Sequence, residues 1–304
     1  MDEDSQIIAD IQKLKKDLNA VILAHNYQLG EVQDVADICG DSLDLSRKAA
    51  ETEADVIVFC GVHFMAETAA ILSPQKKVLL PDLNSGCPMA DMADAESLRE
   101  LKSKHPGAVV VTYVNSTAGV KAESDICCTS ANAVRVVESI PRDKKIIFVP
   151  DRYLGTFASD RTSRELVLWP GHCPTHRRIL PEHIQRRKVE NPGARVIVHP
   201  ECRPEVIRLA DKAASTSQMI RYASETDAKT IIVGTELGII HRLAKENPDK
   251  RFVPATEQAI CPDMKLITLE KVRRALEEKI HVVEVPEEVR RKALGALQRM
   301  LEVT

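Results

Sequence analysis

Residues 20–27 read AVILAHNY, and similar runs follow as AVVVTYVN at 108–115 and ARVIVHPE at 194–201. The starts of these runs are 88 and 86 residues apart, close to a third of the 304-residue chain. Regular spacing of similar segments is the sequence signature of an internal structural repeat. The runs therefore predict a threefold repeat with units of roughly 90 residues, which is a normal domain size.

Each copy of the repeat also carries one cysteine that is followed by proline. Cys-Pro occurs only at Cys87, Cys173 and Cys261, which are 86 and 88 residues apart. In a reducing compartment cysteines serve metal binding or catalysis more often than disulfide formation. The three Cys-Pro cysteines are therefore candidate metal ligands. The remaining cysteines lack repeat partners and are interpreted as structural: Cys39, Cys60, Cys127, Cys128 and Cys202.

The apolar segments of each copy predict an α/β fold. In the first copy, DVIVFCG (55–61) and KVLLP (77–81) are continuous apolar strands separated by helical patterns. Such runs are typical of parallel sheets that are covered on both faces. We therefore expect three pseudo-symmetric αβα units with parallel sheets around a central pseudo-threefold axis. The predicted units are 1–105 with an N-terminal helix, 106–192, and 193–304 with a C-terminal helix.

Polar residues follow the first strand of every copy. They are His25 and Tyr27, Tyr113 and Asn115, and His199 and Glu201. Residues two apart on an extended chain point to the same side, and parallel sheets bind ligands beyond the carboxyl ends of their strands. If the three sheets converge, these side chains enclose one polar cavity roofed by the cysteines. The alternative for each histidine is a hydrogen-bonded role in the core.

Hydroxyl residues begin a helix in each copy, at Ser42, at Ser130 and at the segment that contains Thr216. Helix N-termini with hydroxyl groups bind carboxylate or phosphate oxygens. Capping of the helix alone is the alternative interpretation. The recurrence of these residues in repeat register favours a binding role.

Two kinds of metal site are compatible with the cysteine pattern. Three thiolates can hold a [4Fe-4S] cluster by three corners, which leaves one iron open as a Lewis acid. His172, Cys173 and His176 also permit a zinc site that is completed by histidine. The matching cysteines of the other copies favour the cluster, and His176 is then interpreted as a substrate contact.

Composition excludes several other classes of function. The net charge of −3, the pI near 6.3 and an aromatic content of 3% argue against nucleic-acid binding. No apolar run approaches the length of a membrane span, and the acidic N-terminus does not resemble a signal peptide. We therefore expect a cytoplasmic protein with no membrane partner.

Short blocks throughout the chain resemble the quinolinate synthase family of NAD biosynthesis. They are AHNYQ (24–28), GDSL (40–43), CPMA (87–90), YVNS (113–116), CTSAN (128–132), GHCP (171–174), HPEC (199–202), STSQM (215–219) and GTELG (234–238). The resemblance implies three αβα domains around a pseudo-threefold axis and an oxygen-sensitive [4Fe-4S] cluster on three cysteines. It also implies condensation of iminoaspartate with dihydroxyacetone phosphate to quinolinate, with release of phosphate and two waters. The additional CxxC of some bacterial members is absent from this sequence.

The resemblance also assigns roles to individual residues. It implies cluster ligation by Cys87, Cys173 and Cys261. It implies substrate contact by His25, Ser42, Tyr113, Asn115, Ser130, His199, Glu201 and Thr216, with Tyr27 beside the reacting carbons. The condensation must remove protons next to carbonyl or imine carbons, so Glu201 is the expected base and Tyr27 its partner acid. The expected source of iminoaspartate is an aspartate oxidase or dehydrogenase. An iron–sulfur sensor and a zinc hydrolase are the alternative functions.

Overall fold

The computed structural model describes residues 3–303. It contains three sheets of four parallel strands, and the spatial order of the strands is second, first, third and fourth in every sheet. Helices flank each sheet. Because the strand order is identical, the sequence repeat is a structural repeat. The predicted fold of three αβα units is confirmed.

The first sheet contains β1 (Ala20–His25), β2 (Ile38–Gly40), β3 (Val56–Cys60) and β4 (Lys77–Leu79). Its helices are α1 (Glu3–Asp17), α2 (Gly30–Val35), α3 (Ser42–Glu51) and α4 (His63–Leu72). Every residue of β3 is buried, as expected for a strand that is covered on both faces. The Asp41 carboxylate caps α3 by accepting the N–H groups of Leu43 and Asp44.

The second sheet contains β5 (Val109–Tyr113), β6 (Ile126–Cys128), β7 (Ile146–Val149) and β8 (Val167–Leu168). Its helices are α5 (Ala95–Lys104), α6 (Ala118–Ala122), α7 (Ala133–Ser139), α8 (Arg152–Thr162) and α9 (Pro174–Arg177). Leu98 of α5 packs in one cluster with Val110 and Ile147, so this helix covers the second sheet.

The third sheet contains β9 (Arg195–Val198), β10 (Lys212–Ala213), β11 (Thr230–Gly234) and β12 (Arg251–Pro254). The remaining helices are α10 (Pro181–Glu190), α11 (Pro204–Ile207), α12 (Thr216–Glu225), α13 (Ile239–Glu246), α14 (Leu269–Glu278) and α15 (Glu287–Glu302). Ile184 of α10 packs with Val196 and Ile232 of this sheet. The packing assigns α5 to the second sheet and α10 to the third, and the domain boundaries stay a prediction.

The sequence pattern predicts three strands per copy, whereas each sheet has four. The additional strands β2, β6 and β10 have only two or three residues, which is too short to produce a recognisable apolar run. They also correct one interpretation. Cys39 pairs with Ala24 of β1, and Cys127 pairs with Thr112 of β5, so these two cysteines occupy equivalent positions. The statement that they lack repeat partners is wrong, although the third copy has Ala213 there.

The C-terminal helix packs on the second unit. Ala293, Leu297 and Met300 of this helix are buried in the core of that unit. The Asn132 side chain donates to the carbonyl oxygens of Met300 and Val303, which ties the end of α15 to the start of α7. No helix between residues 3 and 303 combines the length and apolar character of a membrane span.

Candidate active site

One cavity is lined by side chains from all three units. All thirteen residues predicted to bind metal or substrate line it: His25, Tyr27, Ser42, Cys87, Tyr113, Asn115, Ser130, Cys173, His176, His199, Glu201, Thr216 and Cys261. The convergence follows from the parallel sheets, because residues that follow the strands gather at one edge of each sheet. The individual roles of these residues stay predictions.

The three Cys-Pro cysteines share one hydrogen-bonding feature. A short helical segment follows each of them, beginning at Pro174 directly after Cys173, at Ala90 after Cys87 and at Met264 after Cys261. Each sulfur accepts the backbone N–H of the residue three positions later. These residues are Ala90 after Cys87, His176 after Cys173 and Met264 after Cys261. The repeat therefore places three similarly hydrogen-bonded sulfurs on one cavity.

The thiols also influence one another electrostatically. Burial raises the pKa of Cys87 to about 12, and burial likewise raises the pKa of Cys173 and of Cys261. Repulsion between each pair of thiolates raises the pKa values further. Three thiolates at this position therefore require compensation by positive charge, which a bound metal supplies.

His25 and His199 share one hydrogen-bonding arrangement. The amide N–H of Tyr27 donates to Nδ1 of His25 at 3.2 Å, and that of Glu201 donates to Nδ1 of His199 at 3.3 Å. Because Nδ1 accepts, Nε2 carries the hydrogen of the neutral ring. Burial lowers the pKa of both histidines to about 3, so both are neutral at pH 7. Nε2 of His199 lies 3.1 Å from the hydroxyl oxygen of Ser130.

Glu201 is a buried carboxylate with two close partners. Tyr113 donates its hydroxyl to Oε1 at 2.5 Å, and Nδ1 of His176 lies 2.7 Å from Oε2. Burial alone would raise the pKa of Glu201, but His176 and His199 lower it to about 2. Burial and the Glu201 charge raise the pKa of Tyr27 and Tyr113 well above the usual tyrosine range. The site therefore combines an ionised carboxylate with two protonated phenols at neutral pH.

Thr235 connects these groups, and sequence reasoning missed it. Its hydroxyl oxygen lies 2.5 Å from the Tyr27 oxygen and 2.8 Å from Nε2 of His176. Nδ1 of His176 lies 3.2 Å from the sulfur of Cys173. A continuous set of polar contacts thus joins Tyr27, the carboxylate of Glu201 and one candidate metal ligand. The position of Thr235 directly after β11 could have identified it from the sequence, because the other polar site residues also follow strands.

Three helix starts face the cavity. Ser42 is the first residue of α3, Thr216 is the first residue of α12, and Ser130 lies three residues before α7. Side chains join these starts: Ser215 donates to the Asp41 carboxylate at 2.9 Å, and Gln218 donates to the Ala131 carbonyl at 3.2 Å. The helix starts of all three units are therefore held together at one end of the site.

Two buried carboxylates, also missed by sequence reasoning, hold the cysteine loops. Asp151 accepts the N–H of Cys173, and Glu236 accepts the N–H of Cys261, both at 3.2 Å. Each carboxylate lies two residues beyond the end of the third strand of its unit. Glu236 also forms an ion pair with Lys265 at 3.0 Å. Their equivalent positions after β7 and β11 were the signal that could have identified them.

The sequence is similar over nearly its full length to proteins of one family. The family model of the quinolinate synthetase A protein matches residues 9–302. The chain is 63% identical over 293 residues to "Quinolinate synthase" of Dehalococcoides mccartyi strain CBDB1, covering 96% of this chain and 97% of that protein. It is 59% identical over 301 residues to the protein of the same name from Desulforudis audaxviator, and 56% identical over 301 residues to "Quinolinate synthase 1" of Methanosarcina acetivorans. Each of these two alignments covers 99% of both chains. This chain therefore belongs to the quinolinate synthetase A protein family.

Proposed function

We propose that the protein is a quinolinate synthase of de novo NAD biosynthesis. It condenses iminoaspartate with dihydroxyacetone phosphate to quinolinate and releases phosphate and two waters. The observation that carries this proposal is the convergence of three cysteines and ten polar residues from three units on one cavity. Membership of the family supports the same reaction. Because imines hydrolyse in water, an aspartate oxidase or dehydrogenase would supply iminoaspartate close to its point of use.

The donor set fits a [4Fe-4S] cluster held by Cys87, Cys173 and Cys261. A single tetrahedral zinc ion would require the three sulfurs to lie about 3.8 Å apart. Among the described residues, these sulfurs do not form a group within 4.8 Å of one another. A cluster binds each cysteine to a different iron and therefore suits a wider spacing. When bound, the cluster supplies an iron without a protein ligand, whose Lewis acidity assists the loss of hydroxide.

The remaining side chains suit the anionic groups of the two substrates. Ser42, Ser130 and Thr216 lie at or near helix starts, and their hydroxyl groups can donate to carboxylate or phosphate oxygens. The neutral ring of His25 offers a further Nε2–H donor, and the Nε2–H of His199 donates to the Ser130 hydroxyl and orients it. The Oδ1 atom of Asn115 is buried and has no hydrogen-bond partner within residues 3–303, so it is available to accept the N–H of an imine. The site can therefore orient a dicarboxylate and a phosphate ester together.

Glu201 and Tyr27 are the proposed base and acid. Glu201 is ionised at neutral pH, so it can accept a proton from carbon. Its pKa of about 2 in the folded site makes the carboxylate a weak base when it acts alone. We therefore assign the basic role to Glu201 together with His176, whose Nδ1 lies 2.7 Å from Oε2. Tyr27 keeps its proton and can donate it, and its contact with Thr235 and His176 links it to the same carboxylate.

The test is quinolinate formation by anaerobically purified protein supplied with dihydroxyacetone phosphate and freshly generated iminoaspartate. We expect quinolinate, detected by mass, and one phosphate for each molecule formed. Omission of either substrate should abolish the product. A protein that contains the cluster but forms no quinolinate would contradict the proposal and favour the iron–sulfur sensor.

A further inference from the structure

Cys173, His176 and Glu201 form a compact donor set within the cavity. Their ligand atoms all lie within 4.8 Å of one another. Nδ1 of His176 is 3.2 Å from the sulfur of Cys173 and 2.7 Å from Oε2 of Glu201. Thiolate, imidazole and carboxylate groups are the usual protein ligands of Zn²⁺. We infer that the chain without an iron–sulfur cluster binds one Zn²⁺ ion through these three residues, with a fourth coordination position open.

The surrounding hydrogen bonds orient two of the ligands for this role. Nε2 of His176 lies 2.8 Å from the Thr235 hydroxyl oxygen. When the ring hydrogen is on Nε2 and is donated to Thr235, Nδ1 has a free lone pair that can bind the metal. Tyr113 donates to Oε1 of Glu201 and leaves Oε2 available. Metal-binding histidines and carboxylates in proteins are typically fixed by such outer contacts.

The required movement is small. With ordinary zinc–ligand bond lengths, tetrahedral coordination separates nitrogen, oxygen and sulfur ligands by about 3.4 to 3.6 Å. The two measured contacts, at 3.2 and 2.7 Å, therefore need to widen by less than about 1 Å. Binding displaces two protons, because the ligands are a thiolate, an imidazole lone pair and a carboxylate. The thiol proton of Cys173 goes to solvent, and the proton held between Nδ1 of His176 and Oε2 of Glu201 moves to Nε2 of His176 or to solvent.

The proposed cluster site uses all three Cys-Pro cysteines, whereas the inferred zinc site uses only Cys173. It does not depend on the proposed function, since its ligands are defined by their mutual contacts alone. Cys173 belongs to both donor sets, so zinc and the cluster would exclude each other. Zinc binding would then compete with cluster assembly at this cavity.

The test uses the full-length chain purified without a cluster, with Co²⁺ as an optical probe of thiolate coordination and Zn²⁺ as its competitor. A Cys87→Ser/Cys261→Ser double variant cannot form the cluster or a three-thiolate site. We expect it to bind one ion per chain with an affinity within about threefold of the parent, because the inferred ligands remain. Cys60→Ala, which removes a buried cysteine of β3, is the matched control and should also bind normally.

Ligand variants should behave differently. Cys173→Ser, His176→Asn and Glu201→Gln should each weaken Zn²⁺ binding by at least about 10- to 100-fold, and Thr235→Val by about 10-fold. Circular dichroism checks folding, and Thr235→Val remains informative if a ligand variant does not fold. Loss of binding in the double variant with normal binding in His176→Asn would overturn the inference in favour of a three-thiolate site. Equal affinity in all variants would overturn it in favour of adventitious binding.

A second measurement separates this inference from the proposed function. Chain loaded with Zn²⁺ should resist cluster reconstitution with iron and sulfide until a chelator removes the zinc. If the optical experiment succeeds but zinc does not block reconstitution, the inferred zinc site stands. The assignment of Cys173 as a cluster ligand would then be wrong.

Discussion

Tyr113 of the second unit donates a hydrogen bond to Glu201 of the third unit, with 2.5 Å between its oxygen and Oε1. The two residues are 88 positions apart, but they are not equivalent in the repeat. Tyr113 corresponds to His25 and His199, whereas Glu201 corresponds to Tyr27 and Asn115. The bond therefore joins different positions of neighbouring units. The proposed catalytic carboxylate is held by a unit other than its own.

The cysteine assignment predicts which substitutions remove the cluster. Cys87→Ser, Cys173→Ser and Cys261→Ser should each lose it, because each removes one of three thiolate ligands. Cys39→Ser and Cys60→Ser should keep iron and sulfide content near the parent level. Iron and sulfide analysis of the five anaerobically prepared variants provides the measurement. Full cluster content in any of the first three variants would remove that cysteine from the ligand set.

Glu201→Gln should lower kcat by a factor of roughly 10² to 10⁴ while KM changes little. Glutamine keeps the shape and can accept the Tyr113 hydrogen bond, but it does not take up a proton. Steady-state kinetics with cluster content measured in parallel gives the comparison. A steep rise in KM with kcat maintained would show that Glu201 binds substrate, and the base would then be sought at Tyr27 or a histidine.

Ser130→Ala tests the role of the helix starts. If the hydroxyl donates to a substrate oxyanion, KM should rise by about 10- to 100-fold, the loss expected for a hydrogen bond to a charged group. Ser139→Ala is a matched control, because Ser139 ends the helix that follows Ser130 and its hydroxyl donates to the Val136 carbonyl of the same helix. If Ser130→Ala lowers the melting temperature but does not change KM, the Ser130 hydroxyl stabilises the fold and does not bind substrate.

Protonation of His25 in the unfolded chain should lower the free energy of unfolding as the pH falls below 6.5. The pKa of His25 is about 3 in the folded chain and near 6.5 when exposed, so the unfolded chain binds more protons between these values. The free energy of unfolding therefore increases with pH in this range, by about 2 kcal/mol between pH 5 and 6.5 for one such group. His25→Gln should show a flatter dependence than the parent in urea unfolding of the cluster-free chain. Equal slopes from pH 5 to 7.5 would contradict the assignment of a neutral buried ring.

The repeat predicted the architecture and placed the predicted site residues on one cavity, although it did not identify Thr235, Asp151 or Glu236. Continuous apolar runs identify the central strands β1, β5 and β9, and the polar residues after them must lie at the same edge of each sheet. Their equivalence between copies distinguishes Cys87, Cys173 and Cys261 from most other cysteines. This is why one argument from spacing placed residues from the whole chain on one cavity.

The hydrogen-bond network could not be predicted, because it depends on how the units pack. Thr235 meets Tyr27 from a distant segment of the chain, and Asp151 reaches the Cys173 amide across a loop. The repeat shows that Asp151 and Glu236 occupy equivalent positions, but it does not show which groups these side chains contact. The two-residue strand β10 is similarly invisible, since its pairing with β9 comes from the backbone rather than from an apolar run.

The covalent joining of three copies has a consequence for recognition. A ring of three identical chains would have to present the same side chain three times at every equivalent position. Here one position carries an imidazole, a phenol and an imidazole, at His25, Tyr113 and His199, and the position two residues later carries a phenol, an amide and a carboxylate. A symmetric scaffold has thereby acquired an asymmetric interior. The two substrates of the proposed reaction could therefore each contact a different set of side chains, which a homotrimer of the same fold would not provide.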